Sequence, residues 1–165
     1  MAKPSRKSSP QGVASRFQQA VRATPALASA YYPGLKAIAS ADRKRITCCH
    51  PAKLTGSVHV DAAFKQAMPS APRWDYAIGY SDQTNQERIV WVEVHPATSG
   101  RNLDEMVRKL DWLVDWLQRA APAMNYEPRR IVWVASSRAR FSKGDPKLRA
   151  LNRRGLEFAG SHLAL

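Results

Sequence analysis

The sequence predicts an α/β sandwich built around a mixed β-sheet. Two strand-like runs, WDYAIGY (74–80) and RIVWVEVH (88–95), flank a polar turn, the pattern of an antiparallel hairpin. An amphipathic segment over 103–120 separates this hairpin from a further strand-like run, RRIVWVAS (129–136). A strand, a crossover helix and a strand pack as a parallel pair with a right-handed connection.

Each element follows in order. MAKPSRKSSP, residues 1–10, is polar, basic and rich in Pro and Ser, which predicts a disordered basic tail. Residues 11–165 then make a single domain, and an apolar fraction of 44% is enough for a core. From Gln11 to Tyr32, Val13, Phe17, Ala20, Val21 and Ala28 recur at helical spacing; Pro25 interrupts the pattern and Pro33–Gly34 stops it. A short helix is expected over 35–44, a loop over 51–56, and a first strand in SVHVDAAF, 57–64. Pro69 and Pro72 bracket another loop.

The run Ile89 to Val94 is nearly all apolar, which suits a central strand covered on both faces. Thr98–Ser99–Gly100 opens the long helix, whose buried face is Leu103, Met106, Val107, Leu110, Leu113, Val114 and Leu117. At ~100° per residue, Trp112 and Trp116 point away from that face. Either they meet a second copy in a homodimer, or the N-terminal helices cover them. Pro122 and Pro128 bound a loop. Asp145–Pro146 starts a last helix through about Arg153, Gly155 ends it, and LEFAG is a candidate fifth strand.

Charge narrows the partners. The chain has 26 Lys plus Arg against 13 Asp plus Glu, a net +13 that favours polyanions. Such polyanions are chiefly nucleic acid or an anionic membrane surface, and charge alone does not choose between them. No apolar run approaches the ~20 residues of a membrane span, and the expected partner is nucleic acid, with no membrane. Residues 1–41 hold no acid, which fits a transit peptide or a basic arm leading into a surface helix. Cys48 and Cys49 are adjacent and unsuited to pairing with each other, so the expected setting is reducing and cytoplasmic. Together with His50 and His59 they lack structural-zinc spacing. There is no Gly-rich phosphate loop and no nucleophile elbow.

The candidate chemistry lies in the hairpin. Asp75 opens its first strand and Glu93 sits near the end of its second, so antiparallel pairing sets the two carboxylates side by side. Such a pair offers hard oxygens to a divalent cation, although ion pairing with Arg73, Arg88 or Arg101 would serve structure alone. Asp61 is a candidate third ligand or a simple strand-end cap. Residues 129–154 carry Arg129, Arg130, Arg138, Arg140, Lys143, Lys147, Arg149, Arg153 and Arg154 against one acid, Asp145, a segment suited to phosphate contact. Arg43, Lys44 and Arg45 form a smaller cluster. Phe141 is placed to stack on a base or to fill the core.

The hairpin resembles the core of the PD-(D/E)xK nuclease superfamily, whose αβββαβ, restriction-endonuclease-like architecture matches the predicted order over roughly residues 10 to 160. WDYAIGY is similar to the first half of the motif, with Asp75 at its aspartate. VEVH, 92–95, is similar to the second, with Glu93 at the acidic position and His95 where the family has lysine. The resemblance implies Mg²⁺, or Mn²⁺ as substitute, held by Asp75, Glu93 and Asp61, with catalysis by Asp75, Glu93 and His95 on DNA rather than RNA. It also implies a fixed positive charge by the scissile phosphate, which Lys109 or Lys65 would have to supply from elsewhere. The expected function is a nucleic-acid-binding, metal-dependent endonuclease. The alternative is a catalytically degenerate module on the same fold that binds nucleic acid or mediates assembly.

Overall fold

The computed structural model describes residues 13–142 and 144–165. The expected tail, residues 1–10, and Lys143 lie outside the described residues. Ser15 caps the first helix, α1 (Arg16–Arg22), by accepting a hydrogen bond from the Gln18 amide, and Phe17, Ala20 and Val21 are its buried face. The helix is shorter than its apolar pattern implied. After Ala23 the chain turns at Thr24, whose hydroxyl bonds back to the Ala20 carbonyl at 2.9 Å, and Pro25 follows. Glu87 accepts the amides of Arg16 and Phe17 at 2.9 Å each, a carboxylate at a helix start where the free N–H groups favour it.

Strand β1 (Tyr31–Tyr32) precedes the segment expected to hold a second helix, of which α2 (Ser40–Arg43) is helical, and strand β2 (Ile46–Thr47) follows it. Strand β3 runs from Leu54 to His59, and helix α3 covers Val60–Phe64. The expected strand over 57–64 is therefore corrected: pairing stops at His59. The amides of Val60 and Asp61 both reach the Asp75 carbonyl, at 2.8 and 3.4 Å, so the ladder closes there. Val60 and Phe64, one helical turn apart, then drop into the core together.

The hairpin forms as expected from β4 (Tyr76–Ser81) and β5 (Glu87–His95). Asp82 builds its turn, accepting the amides of Thr84 and Gln86 at 2.8 and 3.0 Å and the Arg88 guanidinium at 2.8 Å. Helix α4 (Gly100–Ala120), short helix α5 (Pro122–Asn125), β6 (Arg129–Ala135), α6 (Pro146–Arg153), β7 (Leu156–Phe158) and β8 (Leu163–Ala164) complete the chain. The sheet order is β1-β3-β4-β5-β6-β7, with β2 and β8 pairing separately. The β3–β4–β5 pairs are antiparallel and the β5–β6–β7 pairs parallel. This is a mixed α/β architecture with a six-stranded central sheet.

Side chains alternate across the sheet. Ile89 and Trp91 of β5 face a core shared with α1, α3, α4 and α6, while Val90 and Val92 face a smaller core with Ile38, Ile46 and Leu163. Gly79 in β4 allows the close approach of α1: a β-carbon there would fall 2.4 Å from the Phe17 ring. Among the described residues, no helix is long and apolar enough to cross a membrane.

The two tryptophans of α4 do not form an exposed pair. Trp116 is buried and Trp112 partly so. Their rings stack at 5.9 Å and 4°, and the Phe64 ring meets both edge-on at 5.7 and 5.2 Å. Helix α3 covers them in part through Phe64, where the N-terminal helices were expected. Phe64→Ala should cost about 3 kcal/mol by opening a cavity under both indoles, lowering the melting temperature by roughly 6–12 °C for a chain this size. Thermal unfolding with a red shift of the native tryptophan emission checks it; an unchanged melting temperature would mean the cluster is not packed on Phe64.

Candidate functional site

The β4–β5 register pairs Tyr76 with Val92. One step further along the same register, Asp75 stands opposite Glu93. Period-two alternation places Glu93 and His95 on the face of Trp91, beneath α4. The carboxylates then exchange with the opposing backbone: Asp75 Oδ2 accepts the Val94 amide at 2.9 Å, and Glu93 Oε2 accepts the Asp75 amide at 3.1 Å. Side chains thus extend the ladder past its last backbone pair. The two acids share one spot on one face, and neither is buried against an arginine.

Helix α4 brings the third member. Lys109 Nζ lies 2.7 Å from Glu93 Oε1 and donates to the Arg73 carbonyl at 2.5 Å. One turn earlier on the same helix, Glu105 Oε2 is 2.6 Å from His95 Nε2, and the Asn102 amide donates to Glu105 at 3.2 Å. His95 Nδ1 is 3.8 Å from Glu93 Oε1, beyond a hydrogen bond. His95 is therefore oriented by Glu105 and leaves its other nitrogen toward the acid pair. Lys65 is exposed on the surface and has no ion pair among the described residues.

Burial governs the electrostatics. Glu93 is 1% exposed. Loss of water, then the neighbouring Asp75 charge, push its carboxyl up to about 8 against the pull of Lys109. Burial also raises Asp75; the Val94 amide and Lys109 oppose this, while Asp42 and Asp61 add to it. The His95 hydrogen bond holds Glu105 below the usual carboxylate range.

Asp61 is corrected in place and in partner. It sits in the first turn of α3 rather than on a strand, and Arg73 holds it at 2.8 Å. Arg73 also donates to the Met68 and Pro69 carbonyls, fastening the loop before β4. Asp61 is thus ion-paired within the chain while its charge still acts on Asp75. Among the described residues, no group of three or more His, Cys, Asp or Glu gathers in a metal-holding arrangement.

Two site residues escaped the sequence reading. Glu105 carried a signal, its i,i+4 spacing from Lys109 on a helix that starts just beyond the end of β5. Asp42 did not: the Tyr76 hydroxyl donates to it at 2.7 Å, a contact between residues with no local relation. Cys48 and Cys49 are free, and the His59 ring packs on Tyr76 at 4.7 Å.

The late basic residues divide. Arg129 opens β6, at the opposite end of the sheet from the acids. Arg130, Lys147 and Arg154 are paired with Glu157, Asp104 and Asp111 at 2.7, 2.6 and 2.5 Å. Arg138, Arg140, Arg149 and Arg153 are exposed and have no carboxylate partner among the described residues. Phe141 packs on Trp133 and Phe158, with centroids 5.4 and 5.3 Å apart, so it belongs to the core rather than to a base-stacking surface.

The fold and the site together define an α/β domain with a buried carboxylate pair and a lysine at the end of its central strands. Compared with protein-family models, curated proteins and solved structures, the chain has no significant match.

The Glu93 environment predicts a pH dependence of stability. An unfolded chain releases this proton near 4.5, whereas the folded chain keeps it to about 8. Stability is therefore fully present below pH ~4.5 and lost as pH rises through about 8. Metal-free wild type should lose more than about 1 kcal/mol across this range, or roughly 2–4 °C per kcal/mol. Glu93→Gln should keep only the smaller slope due to Asp75. Melting curves at several pH values check it; identical slopes for the two proteins would contradict the burial argument.

Proposed function

We propose that this chain is a nuclease-like domain of the αβββαβ type that binds nucleic acid and hydrolyses its phosphodiester bonds with a divalent cation, acting on DNA rather than RNA. One observation carries the reading: Asp75 and Glu93 share a face at a strand end with Lys109 2.7 Å from Glu93, so an acid, an acid and a lysine stand together although the motif lysine is absent from β5. The donors suit Mg²⁺ or Mn²⁺, which need only one or two carboxylates when substrate phosphate and water complete the shell. Asp75 and Glu93 would hold the ion, which when bound lowers the pKa of water and offsets phosphate charge.

The chain's own groups supply the rest. Lys109 is the fixed positive charge, reaching the site from α4. Glu105 holds His95 with one ring nitrogen toward the acid pair, where a neutral imidazole can accept a proton from water. His95 then assists water activation, and Lys109 takes the charge role.

A Mg²⁺ or Mn²⁺ titration against end-labelled DNA and RNA tests this reading. Wild type should cleave, Asp75→Ala and Glu93→Gln should lose about 10²-fold or more, and Lys109→Met should lose a comparable factor while remaining folded. Absence of cleavage by wild type with either metal, or full activity in Asp75→Ala, would overturn it.

A second reading, a degenerate nuclease-fold module that binds without cutting, has one observation in its favour. Glu93 is 1% exposed, and each carboxylate is already committed to a backbone amide. That reading expects metal-independent nucleic-acid binding that survives Asp75→Ala.

A further inference from the structure

Three segments far apart in sequence meet at the sheet end that carries the acid pair. Helix α2 arrives through Asp42, which accepts the Tyr76 hydroxyl at 2.7 Å; the next residues, Arg43 and Lys44, are exposed. Arg45 fastens that segment to the end of β6, donating to the Ala135 and Ser136 carbonyls at 3.3 and 2.7 Å. The loop after β6 crosses to the opposite face of the sheet: the Ser136 amide bonds to the His95 carbonyl at 3.1 Å and the Arg140 amide to the Ala97 carbonyl at 2.9 Å. In that loop Ala139 and Phe141 pack on the core, while Arg138 and Arg140 are exposed. The third segment is the first turn of α4, with exposed Arg101. Among the described residues, Lys44, Arg101, Arg138 and Arg140 have no carboxylate partner.

We infer that Lys44, Arg101, Arg138 and Arg140 form a cationic rim on both faces of the sheet end and bind the phosphates of a nucleic-acid backbone laid across the acid pair. This rests on the nucleic-acid reading above and narrows it. The strongly basic segment 129–154 divides into a working part and a structural part, because Arg130, Lys147 and Arg154 are neutralised within the chain and Arg129 is at the far end of the sheet. Contacts of this kind are made to phosphate, so they position a strand without reading its bases. They bring together the small cluster at 43–45 and the loop after β6, which the sequence keeps more than a third of the chain apart.

The test is the salt dependence of binding to duplex and single-stranded DNA, measured with Ca²⁺ or without metal so that cleavage does not intervene. Each phosphate contact contributes ~0.9 to the slope of log K against log salt on duplex and ~0.7 on single strands. The Lys44/Arg101/Arg138/Arg140→Gln variant should flatten the slope by about 2–4 and weaken binding at least tenfold, alike for unrelated sequences. The Arg130/Lys147/Arg154→Gln variant should change the slope by less than about 1. Arginine-to-lysine changes at 101, 138 and 140, which keep the charge, should restore the slope and so exclude a folding defect. A rim variant that binds as wild type does, with the same slope, overturns the inference but not the nucleic-acid reading. Wild type that binds phosphatidylserine vesicles and no nucleic acid overturns both. Rim-dependent binding without metal-dependent cleavage supports the rim and removes only the catalytic reading.

Discussion

Two carboxylates and one ammonium sit where the central hairpin runs out of backbone partners, and the arrangement of that end of the molecule depends on them. Asp75 and Glu93 each accept the amide of the strand opposite. Lys109 Nζ lies 2.7 Å from Glu93 Oε1 while bonding to the carbonyl of Arg73. Removing one partner of a buried polar contact typically costs about 1–3 kcal/mol, and more where a charge is left behind, because the remaining group has neither water nor partner. The same contacts tie β4, β5, α4 and the loop before β4 to one point.

That constraint also explains why the site is poised electrostatically. Burial raises both acids, and the Asp75 charge raises Glu93 further. With one lysine beside two buried carboxyl groups, the site favours an added positive charge over a second ionised carboxylate. A hydrophobic strand of Ile89, Val90, Trp91 and Val92, fully covered on both faces, supplies the rigid, dry support that keeps Glu93 in this state. Catalytic sites are commonly built where scaffolding makes such pKa displacement possible. Structural ion pairs displace pKa values in the same way, which is why chemistry rather than burial decides between the two functional readings.

Much of the fold was legible because it depends on short-range patterns. The hairpin at 74–95 is alternating strands around an Asx-stabilised turn, and α4 is a periodic apolar stripe behind a capping Ser99. The failures lie where two patterns agree over a few residues. VHVDAAF reads as alternation, yet Val60 and Phe64 are equally at i,i+4 spacing, and the tertiary end of the β4 ladder at Asp75 selects the helix. Trp112 and Trp116 read as exposed because the stripe leaves them outside; Phe64, carried by that misread segment, is what covers them. The error in one element propagated directly to the other.

The sequence by itself determined that Asp75 and Glu93 lie near the same end of an antiparallel ribbon, and the register that pairs Tyr76 with Val92 sets them on one face. It also determined a surplus of cationic side chains. Only the tertiary structure decided which lysine reaches Glu93, that Asp61 is taken by Arg73, that Glu105 orients His95, and which arginines are neutralised within the chain. Those outcomes turn on where α3, α4, α6 and the loop after β6 pack against the sheet. Long side chains bridge whatever elements packing happens to bring within a few ångströms, and no local periodicity encodes that.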